Sequence, residues 1–295
     1  MDAIKSAPST RPFLARHEFL IRRLHSLSGL IPVGAYMVVH LVTNASVLNG
    51  AGSFQDNVDK IHSLGAALPV VEWLFIFIPL FFHAIIGAMM IYGMVPNTQS
   101  YPLIGNYRYT AQRATGMIAM AFIFFHLVQL HNFFGAPLKS AGYGAQFDPH
   151  HATSSAATAI GAAPWIVLIY VIGILACVYH LANGLWTMGI TWGVWTTPTA
   201  QRRANIISIV FGVGLAVVGL SALSGMYMNE EEIAAAKAME NVRQEAHEAQ
   251  EAAIEQRAEE AKQKIKDKQE SEKASQQSVE APVEPSSPGD AVEDE

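Results

Sequence analysis

Five long apolar stretches constrain what this 295-residue chain can fold into. They are Leu30–Leu48, Val70–Val95, Met117–Phe134, Trp165–Ile190 and Ile206–Ser224. At 1.5 Å per residue, a helix of about 18–26 residues crosses a hydrocarbon layer about 30 Å thick. A soluble domain of this length has too little other chain to bury five such helices. The sequence therefore predicts an all-α protein, an integral membrane bundle of five transmembrane helices with a charged C-terminal tail.

The distribution of charge divides the chain into two regions. Residues 1–228 carry 11 Lys and Arg against 6 Asp and Glu, whereas residues 229–295 carry 8 against 19. We therefore predict a five-helix membrane domain over 1–228 and an acidic tail rich in Ala, Glu and Lys over 229–295. Residues 229–273 favour a helix, and the Pro-, Ser- and Glu-rich end is typical of disorder. We expect a solvated appendage; a docking element is the less favoured alternative.

The basic residues of the first region predict its orientation. Nine of them precede the first stretch or lie between stretches two and three or four and five: Lys5, Arg11, Arg16, Arg22, Arg23, Arg108, Arg113, Arg202 and Arg203. The alternate connections carry only Lys60 and Lys139. Since Lys and Arg concentrate in cytoplasmic loops, we expect a cytoplasmic amino terminus and a tail on the outer side. No signal-peptide pattern is present, so no cleavage is expected.

Four histidines lie inside four different stretches, where an ionisable side chain is costly and usually functional. Counted from the nearest outer loop residue, His40 and His126 are 9 and 11 residues deep, and His83 and His180 are 14 and 16. These positions correspond to roughly 14–16 Å and 21–24 Å. The histidines thus form an outer and an inner pair.

Two imidazoles facing each other at one depth suit the two axial positions of a haem iron. Gly87 and Gly184 each lie one turn after an inner histidine and would give the macrocycle clearance. A C-x-x-C-H attachment motif needs two cysteines and the chain has one, so any haem is b-type. Structural histidines bonded to a neighbouring helix and a proton relay are the alternatives. The only acidic residue inside the five stretches is Glu72, which lies near one end of the second stretch.

Four segments carry a family resemblance. "RRLHSLSGLIPVGAYMVVHL" (22–41), "LPVVEWLFIFIPLFFHAIIG" (68–87), "QRATGMIAMAFIFFHL" (112–127) and "YHLANGLWTMGITWGVWTTPTAQR" (179–202) resemble the cytochrome b membrane subunit of succinate dehydrogenase/fumarate reductase. The similarity is to the single-subunit, five-helix, two-haem bacterial form and covers roughly residues 16–226. The acidic tail lies outside it.

The resemblance implies that His40 and His126 ligate an outer haem b, and His83 and His180 an inner one. It further implies an iron–sulfur subunit and a flavoprotein subunit with covalent FAD on the cytoplasmic face of a bacterial inner membrane. Electrons would pass between the clusters and a membrane quinone, menaquinone being typical. This chain would not itself oxidise succinate, and no nucleic-acid partner is expected. The alternatives are a dihaem anchor of another quinone-linked dehydrogenase and a haem-free transporter or scaffold.

Weaker assignments concern the ends of the stretches. Four residues that precede the first stretch are expected to contact haem propionates or the quinone, or to dock the iron–sulfur subunit: Arg22, Arg23, His25 and Ser26. Glu72 either favours a helix N-terminus through its charge or handles a quinone-linked proton. Trp186, Trp192 and Trp195 are expected at the membrane boundary. The connection from Gly135 to Pro164 is predicted to be loop, with His150 and His151 solvated rather than binding a metal.

Overall fold

The structure, a computed structural model, describes residues 16–92 and 96–279. Five of its helices are long and apolar enough to cross a membrane: α1 (Glu18–Asn49), α3 (Gly65–Ile91), α4 (Ile104–Leu130), α6 (Pro164–Thr191) and α7 (Pro198–Met226). Three further helices of ten or more residues are α2 (Ala51–His62), α5 (Ala152–Gly161) and α8 (Glu230–Val279), and shorter helical turns lie at Asn132–Gly135, Ala136–Ala141 and Pro149–His151. The described residues contain no strand, and the predicted all-α, five-span fold is confirmed. Lys5, Arg11 and residues 280–295 of the predicted disordered end lie outside the described residues, whereas residues 275–279 of that end are helical.

Two of the spans contain a wide π turn beside a proline. In α1 this turn covers Gly29–Gly34 and includes Pro32; in α3 it covers Trp73–Phe77, just before Pro79. Proline has no N–H to donate and its ring displaces a carbonyl of the preceding turn, which a locally wider helix accommodates. Both spans therefore continue through their prolines, and the first part of α1 carries His25 along the inner half of α3.

Helix α6 lies at the centre of the bundle. It packs against α4 and α7, α7 packs against α1, and the first part of α1 packs against α3. Half of the most apolar segment of α6 is buried, against 6% for α3, which is therefore peripheral. The large side chains that α6 contributes to the hydrophobic core are Ile166, Tyr170, Ile174, Val178 and Leu181. The outward faces expose large apolar side chains, as a lipid-facing surface requires.

The outer connection between α4 and α6 is more ordered than the sequence predicts. The loop prediction is wrong for Ala152–Gly161, which forms α5, with seven of its ten residues buried. Alanine, serine and threonine are small enough to let this helix approach its neighbours closely. The side chain of Gln55 in α2 fixes the start of α5, since it donates to the Pro149 carbonyl (2.7 Å) and accepts from the Ala152 N–H (2.9 Å).

Helix α8 begins with a capping box in which Asn229 and Glu232 bond reciprocally through side chain and backbone. The first compact unit ends at Asn241 and the second begins at Val242. Within the first unit the carboxylate of Glu240 is fully buried and accepts hydrogen bonds from α5. The beginning of the tail therefore docks, and the division at residue 228 stays a prediction. In the second unit α8 is exposed, with side-chain bonds such as Gln256 to Glu260.

Candidate functional site

The inner histidine pair joins α3 and α6. The ring centroids of His83 and His180 lie 6.0 Å apart, with the ring planes at 83°. His83 Nδ1 is 2.8 Å from the backbone oxygen of His25. His180 Nδ1 is 3.0 Å from the backbone oxygen of Gln112, whose side-chain amide donates to the His180 carbonyl (3.1 Å) and lies 3.2 Å from the same Nδ1. Carbonyl oxygens only accept, so both Nδ1 atoms carry the proton and both Nε2 atoms are free to bind a metal.

The outer pair joins α1 and α4. The ring centroids of His40 and His126 lie 5.8 Å apart, with the planes at 76°. His126 Nδ1 is 3.3 Å from the Tyr170 hydroxyl on α6, whereas Nε2 of His40 accepts from the amide of Asn44 at 3.1 Å. The outer pair is therefore asymmetric, because Asn44 must turn away before Nε2 of His40 can bind a metal.

Both pairs fit the requirement of a bis-histidine haem. Metal–imidazole bonds of first-row metals are about 2 Å long, which places two axial ring centroids roughly 6 Å apart. Two glycines also leave room at the inner pair: a Cβ on Gly29 would overlap the His83 ring, and one on Gly116 would lie 2.8 Å from Cε1 of His180. Side chains larger than hydrogen are excluded where the inner imidazoles lie, so the two glycines allow these rings their positions, and the paired imidazole donors suit a haem.

The glycines predicted to give clearance, Gly87 and Gly184, face side chains that contact the inner histidines. A Cβ on Gly87 would be 3.0 Å from Nε2 of His25, and one on Gly184 would be 3.7 Å from the Gln112 amide nitrogen. Their role beside a haem stays a prediction. Sequence reasoning missed Gly29 and Gly116 because it examined only the spans that carry the inner histidines. The sequence could have indicated them, because each is a glycine at about the depth of the inner histidines, Gly29 on α1 and Gly116 on α4.

The residues at the inner end of α1 differ in what they contact. His25 stacks on His83, with ring centroids 4.1 Å apart and planes at 17°. Arg22 forms an exposed ion pair with Glu18 at 2.7 Å. Of the four residues predicted to contact a haem or quinone at this end, His25 is the one that contacts a candidate haem ligand, His83.

Arg23 and Ser26 pack instead against the end of α6. The Arg23 guanidinium lies 5.1 Å from the centre of the Trp192 ring, whose Nε1 donates to the Ser26 hydroxyl at 3.1 Å. The other predicted boundary tryptophans bond to backbone: Trp186 donates to the Gln201 oxygen (3.1 Å), and Trp195 to the Trp186 oxygen (2.8 Å).

A polar network not predicted from the sequence connects α4, α6 and α7. Arg108 donates to Asn183 and, at 2.6 Å, to Asn205, and its guanidinium lies 3.9 Å from the ring centre of Trp186. Asn183 in turn donates to the Gln112 side chain at 2.6 Å. The network leads through Gln112 to His180, so it supports the helix that carries this histidine.

Glu72 faces a histidine beyond the end of α4. Its Oε2 is 3.8 Å from Nε2 of His131, a residue that the sequence analysis did not single out. Aromatic rings surround the pair: Phe77 and Phe134 lie 5.2 and 5.3 Å from the His131 ring, and Phe134 is 6.3 Å from that of Trp73. The only available signal was a polar side chain inside the aromatic run "HNFF".

His150 and His151 lie in the turn that precedes α5. His151 bonds Asp148 through Nδ1 (3.0 Å) and Asn241 through Nε2 (2.7 Å). The bond to Asn241 raises the pKa of His151 above its ordinary value against the effect of burial, and Asp148 adds to the rise. Burial would raise the pKa of Asp148, but hydrogen bonds from His150 and His151 hold it below its usual value. Among the described residues no three His, Cys, Asp or Glu cluster as metal ligands.

Comparison with known proteins identifies one relative at significant similarity. The chain is 32% identical over 206 residues to the succinate dehydrogenase cytochrome b558 subunit of Bacillus subtilis (strain 168), covering 70% of this chain and 96% of the relative. No family model matches the chain.

Proposed function

Because the chain belongs to the succinate dehydrogenase cytochrome b subunit family, we propose that it is the membrane anchor and dihaem b electron-transfer subunit of a succinate:quinone oxidoreductase. The observation that carries the proposal is the pairing of four histidines from four spans. Each pair has a ring separation, 5.8 or 6.0 Å, that suits axial ligation of one iron.

In this proposal His83 and His180 hold the inner haem, and His40 and His126 hold the outer one. A bound haem b supplies a one-electron iron couple, and two axial imidazoles favour electron transfer over oxygen chemistry. The chain's residues hold the two imidazoles of each pair. Gly29 and Gly116 leave the room that the rings of His83 and His180 occupy.

The partners follow from the same proposal. A flavoprotein subunit with covalent FAD oxidises succinate, and an iron–sulfur subunit passes electrons to this chain. Both lie at the cytoplasmic end of the bundle, where the first turns of the spans carry arginines such as Arg22, Arg108 and Arg202. Lys and Arg at one end of a bundle support its cytoplasmic placement, with the tail on the outer side of a bacterial inner membrane.

A quinone, menaquinone in this type of enzyme, exchanges electrons with the outer haem. Glu72 and His131 are the candidate carriers of its protons, because they lie 3.8 Å apart within aromatic side chains. Aromatic walls suit a planar ring, and the carboxylate can donate or accept a proton at the quinone oxygen.

Optical spectroscopy of the purified complex tests the proposal. A dithionite-reduced minus oxidised spectrum should show the α-band of a b-type cytochrome, with two haems per chain, and succinate should reduce at least one of them. His83→Ala and His180→Ala should each delete one centre, and His40→Ala and His126→Ala should each delete the other.

Three results would contradict parts of this proposal. A preparation without haem would remove the electron-transfer role and favour a transporter or scaffold. Spectra in which His40→Ala and His83→Ala delete the same centre would overturn the pairing. Co-purification of a flavoprotein that does not oxidise succinate would instead indicate an anchor for another quinone-linked dehydrogenase.

A further inference from the structure

A chain of three hydrogen bonds, two of them fully buried, leads from the outer connection to the outer histidine pair. The side-chain amide of Gln129 donates to the backbone oxygen of Ala159 in α5 at 2.9 Å. The Tyr170 hydroxyl on α6 lies 2.9 Å from Oε1 of Gln129, and His126 Nδ1 lies 3.3 Å from the Tyr170 hydroxyl. Four polar groups from three helices are therefore connected in a row.

The Ala159 carbonyl determines which atom donates and which accepts in each of these three hydrogen bonds. The Ala159 carbonyl can only accept, so the NH₂ of Gln129 faces it and the Gln129 oxygen faces Tyr170. The Tyr170 hydroxyl must then donate to Gln129, which leaves its lone pairs to accept from Nδ1–H of His126. The row sets His126 in the tautomer whose Nε2 has no proton.

Burial makes this arrangement costly to break. Gln129 and Tyr170 are 4% and 5% exposed. A buried polar group that loses its partner costs about 1–3 kcal/mol, so each member restrains the next. The Tyr170 ring also packs against His126, with centroids 5.8 Å apart and planes at 74°, which limits rotation of the imidazole.

We propose that Tyr170, held by Gln129, is a positioning residue that sets the tautomer and the donor strength of His126 as an axial ligand. This inference rests on the proposed function, because it presumes that His126 binds iron. An acceptor on Nδ1–H increases the electron density at Nε2, and such an imidazole stabilises ferric over ferrous iron. Tyr170 therefore lowers the midpoint potential of the outer haem and leaves the inner haem unaffected.

The inner histidines serve as an internal comparison. Nδ1 of His83 and of His180 lies near a backbone oxygen, which a side-chain substitution does not remove. A change at Tyr170 should thus reach one of the two haems alone. This selectivity separates a positioning effect from a general loosening of the bundle.

The test is a redox titration, followed optically, of the intact complex carrying Tyr170→Phe. At a fixed solution potential, loss of the hydroxyl should lower the oxidised-to-reduced ratio of one haem roughly threefold to tenfold. This corresponds to a rise of about 28–59 mV in its midpoint potential for one electron. Gln129→Leu should shift the same haem in the same direction by less, since Tyr170 then lacks its acceptor. The matched control is Tyr179→Phe, on the same helix and 37% exposed, which should shift neither haem.

Each outcome is decisive. A shift confined to the centre that His126→Ala deletes supports the proposal, and so does loss of that centre alone in Tyr170→Phe. Two haems with unchanged potentials in Tyr170→Phe and Gln129→Leu would overturn it while leaving the proposed function intact. If Tyr170→Phe does not assemble, Gln129→Leu alone decides by the same criterion. Absence of haem from the unsubstituted complex would instead refute the proposed function.

Discussion

Glu240 is the residue whose removal has the most sharply defined structural consequence. Its buried carboxylate accepts from the N–H groups of Thr153 (2.7 Å) and Ser154 (3.3 Å), and from the Ser154 hydroxyl (2.5 Å). It thereby caps the N-terminus of α5, where a negative charge is also favoured by the helix dipole. Glu240→Ala would leave these three donors without their acceptor.

The expected cost can be worked from these contacts. A lost helix cap costs about 0.5–2 kcal/mol, and each buried donor left unpaired costs about 1–3 kcal/mol unless water replaces the acceptor. With water entering the space vacated by the side chain, we expect the local stability of α5 to fall by about 2–4 kcal/mol. At about 1.4 kcal/mol per factor of ten, amide exchange in α5 should accelerate roughly 30- to 700-fold.

Hydrogen exchange measured by mass spectrometry on the purified complex provides the assay. Peptides covering residues 152–161 should lose protection in Glu240→Ala, whereas those from α6 should not. Glu245→Ala, an exposed carboxylate on the same helix, is the matched control and should leave α5 unchanged. If α5 exchanged at the same rate in Glu240→Ala as in the unsubstituted protein, the capping interpretation would be refuted.

Three further predictions concern the site and the outer connection. Gly116→Ala should displace His180 and reduce haem content from two towards one per chain, whereas Gly105→Ala, with open space around its Cβ, should not; pyridine haemochrome assay distinguishes these. Glu72→Gln should lower quinone-dependent turnover roughly a hundredfold with haem content unchanged, and equal turnover would exclude its proton-handling role. The raised pKa of His151 means that its protonated form stabilises the fold, fully below about pH 6.5 and less as pH rises through the folded-state pKa. Thermal unfolding between pH 6 and 9 should show this decline in the unsubstituted complex and a smaller one in His151→Gln.

The number of spans could be predicted from the sequence because apolar length is a local property. Each stretch must cover a hydrocarbon layer whatever its neighbours are, and each of the five coincides over most of its length with one long apolar helix. Two stretches were drawn too long, because the helices that contain them end at Ile91 and Leu130. The depth of a histidine is equally local, since it depends only on the rise per residue and the position of the nearest loop. The sequence alone therefore suggested which histidines share a level, such as His83 with His180.

Helix α5 shows where local reasoning fails. Its residues, "ATSSAATAIG", carry only a weak apolar stripe of mostly small side chains, Ala152, Ala156 and Ile160, and their smallness is typical of a loop when they are considered alone. These small residues form a buried helix because Gln55, Gln129 and Glu240, from three distant parts of the chain, supply hydrogen-bond partners for its backbone. No periodicity in the segment itself records those partners.

The lateral arrangement of the helices was likewise decided by tertiary structure. Sequence determined the all-α class, the five crossings, the histidine levels and the charge of the tail, because each depends on composition or spacing along one segment. Only packing placed Gly29 against His83, Tyr170 against His126 and Glu240 at the start of α5. Those contacts depend on how helices rotate about their axes and which faces meet, and residues far apart in the chain set both together.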